Sequence, residues 1–209
     1  MSLFISIEGP EGSGKTTIAN LLCAYLKEKG YQIVYTREPG GSVIAEQIRN
    51  IVLDKQNTKM DSRTEALLFA ASRRQHLVEK VIPALNEGKI VICDRFIDSS
   101  LAYQGKGRNL GIDEIYNVNL FATNGLLPDL TLYFDIDVEQ GLNRVFKDKN
   151  REVNRLDVAA VNFHRVVREG YLEVLKRYPD RIKLIDASKT VDEVFKQAKE
   201  VIDQCLKKI

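Results

Sequence analysis

Gly9-Pro10-Glu11-Gly12-Ser13-Gly14-Lys15-Thr16-Thr17 is the stretch on which the fold turns. It follows the pattern G-x-x-x-x-G-K-[ST]. Glycines there let successive backbone N–H groups curl around an anion, and the helix that follows adds the positive end of its dipole. The pattern has weight only between a strand and a helix, and both are present. Leu3 to Ile7 is a continuous apolar run, and Ile18, Leu21, Leu22, Tyr25 and Leu26 recur at helical spacing before Gly30, a helix-ending glycine. In such a loop the lysine, here Lys15, reaches the β- and γ-phosphates of a nucleotide, and the hydroxyl of Thr16 ligates Mg²⁺.

Further along the chain the same alternation repeats. Gln32 to Thr36, Ile90 to Cys93, Leu130 to Phe134 and Ile182 to Ile185 read as strands, near-continuous in apolar residues as parallel strands covered on both faces must be. Leu67, Ala71, Val78, Val81, Ile82 and Leu85 mark the apolar stripe of a long helix ended by Gly88. Further helices are expected at about 113–123, 138–147, 158–178 and 191–206. Strand–helix alternation of this kind predicts an α/β fold: a doubly wound, five-stranded parallel sheet with helices on both faces. No repeat, low-complexity tract or Pro/Gly-rich linker divides residues 1–209, so one domain is expected. The strongly polar stretch from Lys147 to Arg155 reads as a solvated loop within it.

The chain has 209 residues with 44% hydrophobic and 29% charged, a balance that argues for a substantial core and against disorder. A formal net charge of +2 does not favour an extended nucleic-acid surface, and no nucleic-acid partner is expected. Cys23, Cys93 and Cys205 lie far apart, without metal-ligand or disulfide spacing, and read as small buried residues in a reducing compartment. The amino-terminal stretch reaches Glu8 without a basic region, so it is no signal peptide. No apolar run approaches the roughly 20 residues of a membrane span. A cytoplasmic location follows as the expectation, with no membrane partner.

Phosphate loops also serve GTPases and transporters. A guanine-reading N-K-x-D, a D-x-x-G switch and an L-S-G-G-Q signature are all absent from the sequence, which leaves a small-molecule kinase as the leading class. Its acceptor side starts at Asp94-Arg95, where an acidic residue at the carboxyl end of a strand is placed to organise Mg²⁺ and the arginine to fork onto a phosphate. A buried Asp–Arg pair closing a strand end would look the same in sequence. Phe69 and Arg73, four apart on one helix, share a face with Ser72 and His76. An aromatic plane beside a guanidinium suits a base, although a core phenylalanine and a surface arginine have the same spacing. Ser100 and Gln104 are also four apart, in a helix that Asp98 or Ser99 is placed to cap. His76 and His164 read as ordinary helix residues.

Taken together, residues 9–17, Thr36-Arg-Glu-Pro-Gly-Gly41, Thr64-Glu-Ala-Leu-Leu-Phe69-Ala-Ala-Ser-Arg73, Asp94-Arg-Phe-Ile-Asp-Ser-Ser100-Leu-Ala-Tyr103-Gln104-Gly, Asn124-Gly-Leu-Leu-Pro-Asp-Leu-Thr-Leu132 and Asn154-Arg-Leu-Asp157 resemble the successive motifs of bacterial thymidylate kinases. The resemblance covers nearly the whole chain and departs at Phe96, where the family commonly has Tyr or His. It implies phosphorylation of dTMP to dTDP by ATP and Mg²⁺, in dTTP synthesis, by a homodimer. It also implies roles. Phe69 stacks on thymine, Arg73 reaches its O4, and Ser100 and Gln104 read the polar edge. Tyr103 crowds the sugar C2′, and Glu11 meets the 3′-hydroxyl region. Arg37, Arg49 and Arg95 lie near the acceptor phosphate, with Glu38 assisting through water or metal; Arg49 also reads as a plain solvated helix residue. Arg151 and Arg155 of the lid supply catalytic charge, Arg144 faces the adenine, and Asp186-Ala187-Ser188 forms the purine-edge loop. A kinase for another nucleoside monophosphate and a non-catalytic nucleotide sensor are the rival readings.

Overall fold

The computed structural model describes residues 2–147, 155–156 and 161–208. Five strands, β1 (Leu3–Glu8), β2 (Ile33–Arg37), β3 (Ile90–Asp94), β4 (Leu130–Asp135) and β5 (Ile182–Asp186), form one sheet in the order β2-β3-β1-β4-β5. Every pairing is parallel. The two inner strands beside β1 are buried nearly end to end, as the unbroken apolar runs require.

Each face of the sheet carries its own core. Leu3, Ile5 and Ile7 of β1 point to one side and pack with Ile18, Leu22 and Leu26 of α1 (Lys15–Glu28) and with Val194, Ala198 and Ile202 of α9 (Val191–Leu206). Phe4 points to the other side, into a cluster with Val91, Phe96, Leu101, Tyr133 and Tyr171. That second layer is built by α3 (Ser62–His76), α5 (Ile97–Ser100), α6 (Ile112–Thr123) and α8 (Val161–Arg177), so the sheet is doubly wound as expected. The expected helix over 158–178 is described from Val161 onwards. α2 (Val43–Leu53), which the sequence pattern did not single out, lies over α3.

Two helices depart from simple α geometry. α3 runs through a π-helical segment at Leu77–Val81 into α4 (Ile82–Asn86), and α5 continues as a π-helical segment over Leu101–Gly107. The first change of phase matters for reading α3. The face it buries carries Glu65, Ala66, Phe69, Ser72, Arg73 and His76, whereas Leu67, Ala71 and Val78 of the expected apolar stripe are exposed. Leu77 and Val81 return the apolar side to the core only beyond His76. The face bearing the phenylalanine and arginine is therefore the inner one, the reverse of what periodicity indicates.

The phosphate loop sits at the carboxyl end of β1, and α7 (Val138–Lys147) closes down on it. A Cβ on Gly12 would lie 2.0 Å from the Gly141 carbonyl oxygen, and Gly12 has φ +72°, so glycine is required there for both space and backbone angle.

Candidate active site

Parallel pairing places the carboxyl ends of β1, β3 and β2 side by side: Ile7 is opposite Asp94, and Asp94 opposite Arg37. The loops leaving these ends line a cleft of about 930 Å³. Lys15, Thr16, Asp94, Arg95, Arg37, Glu38, Arg49, Phe69, Arg73, Ser100, Tyr103, Gln104, Arg144 and Ala187 all border it, so residues scattered through the sequence meet in one place.

At one end is the phosphate loop. Gly9, Gly12 and Gly14 all have positive φ, the geometry that turns successive N–H groups inward. The Lys15 ammonium folds back onto the carbonyls of Gly9 (3.0 Å) and Pro10 (2.8 Å) and onto the Ser13 hydroxyl (3.2 Å). The Thr16 hydroxyl donates to Asp94 Oδ2 at 2.9 Å, which puts two hard oxygens together at the start of α1. Arg144 Nη1 donates to the carbonyl of Ala187 at 3.1 Å and lies 3.5 Å from that of Gly12, tying the loop after β5 to the phosphate loop. In that loop Asp186 accepts from the N–H (3.0 Å) and hydroxyl (2.6 Å) of Ser188, a closed local turn.

Asp94 and Arg95 do not pair with each other. Arg95 adopts φ +69°, a left-handed backbone that costs a side-chain-bearing residue about 1–2 kcal/mol. The turn aims its guanidinium at the phosphate loop, where it donates to the Gly9 carbonyl, to Ser99 and Tyr171 at 3.2 Å each, and to Glu11. Tyr103 also donates to Glu11, at 3.1 Å. Glu11, expected at the acceptor's 3′-hydroxyl, is thus tied to Arg95 and Tyr103 in this structure.

At the other end, Arg73 is only 2% exposed and spread over three partners. Its Nε donates to Glu38 Oε2 at 2.8 Å, and its Nη1 to Ser100 at 3.1 Å and to Asn119. Its guanidinium lies 5.0 Å from the ring of Phe96, which is fully buried between Arg73 and Phe4. Phe96 is thus a packing platform, and a phenol there would bring a hydroxyl into the core. Glu38 has both oxygens engaged, since Oε1 meets His76 Nδ1 at 2.9 Å while His76 Nε2 meets Thr36 at 2.7 Å. His76, read as an ordinary helix residue, is fully buried in this network, and His164 is buried too. A lone histidine on a helix gave no signal of this, because its partners come from β2 and the loop after it.

Arg37 Nη1 and Arg49 Nη1 both donate to the Pro39 carbonyl, at 2.8 and 3.1 Å, so these two arginines converge from β2 and α2. Gln104 donates to Glu65 at 2.8 Å. Glu65 also takes Arg108 (3.1 Å) and, unexpectedly, Arg155 (2.6 Å). Burial opposes ionisation of Glu65, but Arg108 and Gln104 outweigh it and hold the carboxyl below the usual range. Arg155 further donates to the Val52 carbonyl at 3.0 Å. In this structure Arg155 of the expected lid thus rests against Glu65 and the Val52 carbonyl, on the acceptor side of the cleft. Arg151 lies outside the described residues. The expected cap of α5 is also corrected: neither Asp98 nor Ser99 caps it. Asp98 is held by a two-pronged pair with Arg181 (2.6 and 2.7 Å), and Ser99 donates to Glu8 at 2.5 Å.

A strand–phosphate loop–helix unit, an acidic strand end touching the loop's threonine and an arginine-lined second lobe define a P-loop phosphotransferase. The sequence matches the family described as thymidylate kinase over residues 7–198. It is similar to the thymidylate kinase of Clostridium novyi (strain NT), 60% identical over 94% of this chain and 96% of that protein. It is likewise similar to that of Geobacillus sp. (strain WCH70), 61% identical over 92% and 91%. The crystal structure of thymidylate kinase from Ehrlichia chaffeensis superposes with a TM-score of 0.78 at 35% identity, covering 97% of this chain and 98% of that one. The chain belongs to the thymidylate kinase family.

Proposed function

We propose that the chain transfers the γ-phosphoryl group of ATP to the phosphate of dTMP, giving ADP and dTDP in dTTP synthesis. The observation that carries this is the single cleft, with the Lys15 loop at one end and the Phe69–Arg73–Ser100 face at the other. The acceptor phosphate is already largely a dianion near pH 7, so no strong base is required, and positioning with charge neutralisation does the work. Lys15 leaves its loop carbonyls for the β- and γ-phosphates. The adjacent oxygens of Thr16 and Asp94 suit a hard divalent cation; they would hold Mg²⁺, which would supply charge neutralisation for the phosphates. Arg95, Arg37 and Arg49 receive the acceptor phosphate. Phe69 stacks on the base, and Arg73 donates to its O4 with Ser100 and Gln104 beside it. Tyr103 disfavours a ribose 2′-hydroxyl. Arg144, Asp186, Ala187 and Ser188 flank the adenine, and Arg151 supplies catalytic charge from the lid at about 147–157.

The whole chain acts, in this reading, as one cytoplasmic domain paired as a homodimer. Among the described residues no helix is long and apolar enough to cross a membrane. Leu67 (58% exposed) and Phe121 (91%) are large apolar side chains on the outer faces of α3 and α6, helices that pack on each other. Phe121→Asp should halve the sedimenting mass if this face joins two copies; an unchanged monomeric mass in the wild type contradicts the pairing.

Coupled ADP release with dTMP, dUMP, dCMP and dGMP tests the activity. Turnover is expected with dTMP, weakly with dUMP, and marginally with the others. A preference for dCMP or dGMP would assign the cleft to a different monophosphate.

A further inference from the structure

Glu8 ends β1 one residue before the phosphate loop, and no sequence motif assigns it a role. It is fully buried and accepts three hydrogen bonds. The Phe96 N–H donates to Oε1 at 2.7 Å, and the hydroxyls of Ser99 and Tyr171 reach Oε2 at 2.5 and 3.2 Å. On their far side these two hydroxyls meet Arg95 Nη1, each at 3.2 Å. A guanidinium only donates, so both hydroxyl oxygens must turn lone pairs toward Arg95. Each hydroxyl has one proton, and a carboxylate is the partner that takes it without offering one back. The two hydroxyls also lie 2.8 Å apart, so a proton that does not go to Glu8 is shared between them. Once ionised, Glu8 is the terminal acceptor that sets the direction of the layer: hydroxyl protons run away from Arg95, and lone pairs face it. The same carboxylate binds the amide immediately after Arg95, the residue held in left-handed backbone. The Tyr171 ring is fixed by stacking on Tyr133, with centroids 5.1 Å apart and planes 20° apart.

We infer that Glu8 is a positioning residue for Arg95, orienting its backbone turn directly and its guanidinium through Ser99 and Tyr171. The inference rests on the reading above in which Arg95 receives the acceptor phosphate. A carboxylate so placed does not touch substrate; it removes the freedom of the group that does. Its effect should fall on the acceptor and spare ATP, although Glu8 adjoins the ATP loop in sequence.

Glu8→Gln tests this with almost no change of volume. Its amide now offers protons to Ser99 or Tyr171, which must then turn a proton toward Arg95 or lose a partner. At pH 8, where Glu8 is ionised, the expected result is a fall in kcat/KM for dTMP of roughly tenfold to a hundredfold, with KM for ATP within about twofold of wild type. In an Arg95→Ala background the same change should add less than about twofold, because the group it acts through is gone. Tyr171→Phe keeps the stacked ring, removes only one hydroxyl, and guards against a Glu8 variant that fails to fold. It should cost a few-fold, and nothing further once Arg95 is alanine. Losses that multiply with Arg95→Ala would overturn the inference, as would a Glu8→Gln enzyme keeping more than half its kcat/KM. An Arg95→Ala enzyme with wild-type kcat/KM would remove the acceptor-phosphate reading, and the inference with it. A costly Arg95→Ala beside silent Glu8→Gln and Tyr171→Phe variants would remove the inference alone.

Discussion

At the phosphate end of the cleft, the lining comes from one short run, with glycine-turned backbone and one lysine among nine consecutive residues, 9–17. At the acceptor end they are side chains from the loop after β2, from α3 and from α5 with its π-helical continuation. The first end is shaped by glycine backbone and needs little support, because N–H groups are part of the chain wherever it turns. The second must hold a nearly dry guanidinium, Arg73, and does so with Glu38, Ser100, Asn119 and the face of Phe96. A desolvated charge without its partner is expensive. Substitutions at the phosphate end should therefore change chemistry and spare the fold, while those at the acceptor end change both.

Lys15→Ala gives the largest expected effect, a loss of turnover of about 10³-fold or more with thermal stability near that of wild type, measured by coupled assay and calorimetry. Lys15 donates to the Gly9 and Pro10 carbonyls and the Ser13 hydroxyl, all oxygens of its own loop rather than of the sheet core. A folded variant keeping more than a tenth of the rate would break the phosphate-loop half of the contrast. Glu38→Ala should show the opposite profile. It leaves Arg73 and His76 buried without their shared partner, and chemical denaturation should register a loss of about 3–5 kcal/mol. Stability within 1 kcal/mol of wild type would mean the acceptor end is not built on that pair.

Arg155→Ala sharpens the comparison from the lid side. With its guanidinium held on Glu65 and the Val52 carbonyl, on the acceptor side of the cleft, it should lower kcat less than tenfold. A 10³-fold loss in kcat would show that Arg155 leaves Glu65 during turnover and acts as a catalytic finger.

The smallest effect concerns pH. Burial foremost, then Asp98, pushes the Glu8 carboxyl from 4.5 up to about 7. The folded state thus keeps this proton to higher pH than the unfolded chain does. The stability tied to it is complete below about pH 4.5 and fades as pH rises through 7. Gln at position 8 cannot titrate, so the Tm of Glu8→Gln should gain on wild type between pH 5 and 8, by a few degrees. Parallel Tm curves for the two proteins would rule out a raised Glu8.

Legibility followed the same division. The phosphate loop, its strand and its helix could be read from residues 3–30 because every element of that unit is local. All five strands were readable for a similar reason, each a short apolar run bounded by polar residues. The inner face of α3 was not, since a π-helical segment shifts its phase and the cleft needs polar groups where a core helix has apolar ones. Phe69 and Arg73 stood out through motif and spacing, but the partners that hold Arg73, His76's place beside Glu38, and Arg155's place on Glu65 depend on contacts between distant segments. Glu8 and Tyr171 gave no signal at all: a glutamate at a strand end and a tyrosine on a helix are ordinary until the fold sets them around Arg95.

In the proposed function the acceptor end reads thymine through a pre-held Arg73. The most direct measurement is the ratio of kcat/KM for dTMP over dCMP, in wild type and in Arg73→Ala. Cytosine presents an amino group where thymine presents O4, so Arg73 would face another donor, and a site built this way discriminates by on the order of 10⁴. The dTMP/dUMP ratio, set by one methyl group at roughly 10–200-fold, serves as the internal control. Arg73→Ala should collapse the dTMP/dCMP ratio while leaving dTMP/dUMP nearly unchanged. A wild-type enzyme that uses dCMP as well as dTMP, or a ratio that survives Arg73→Ala, would contradict it.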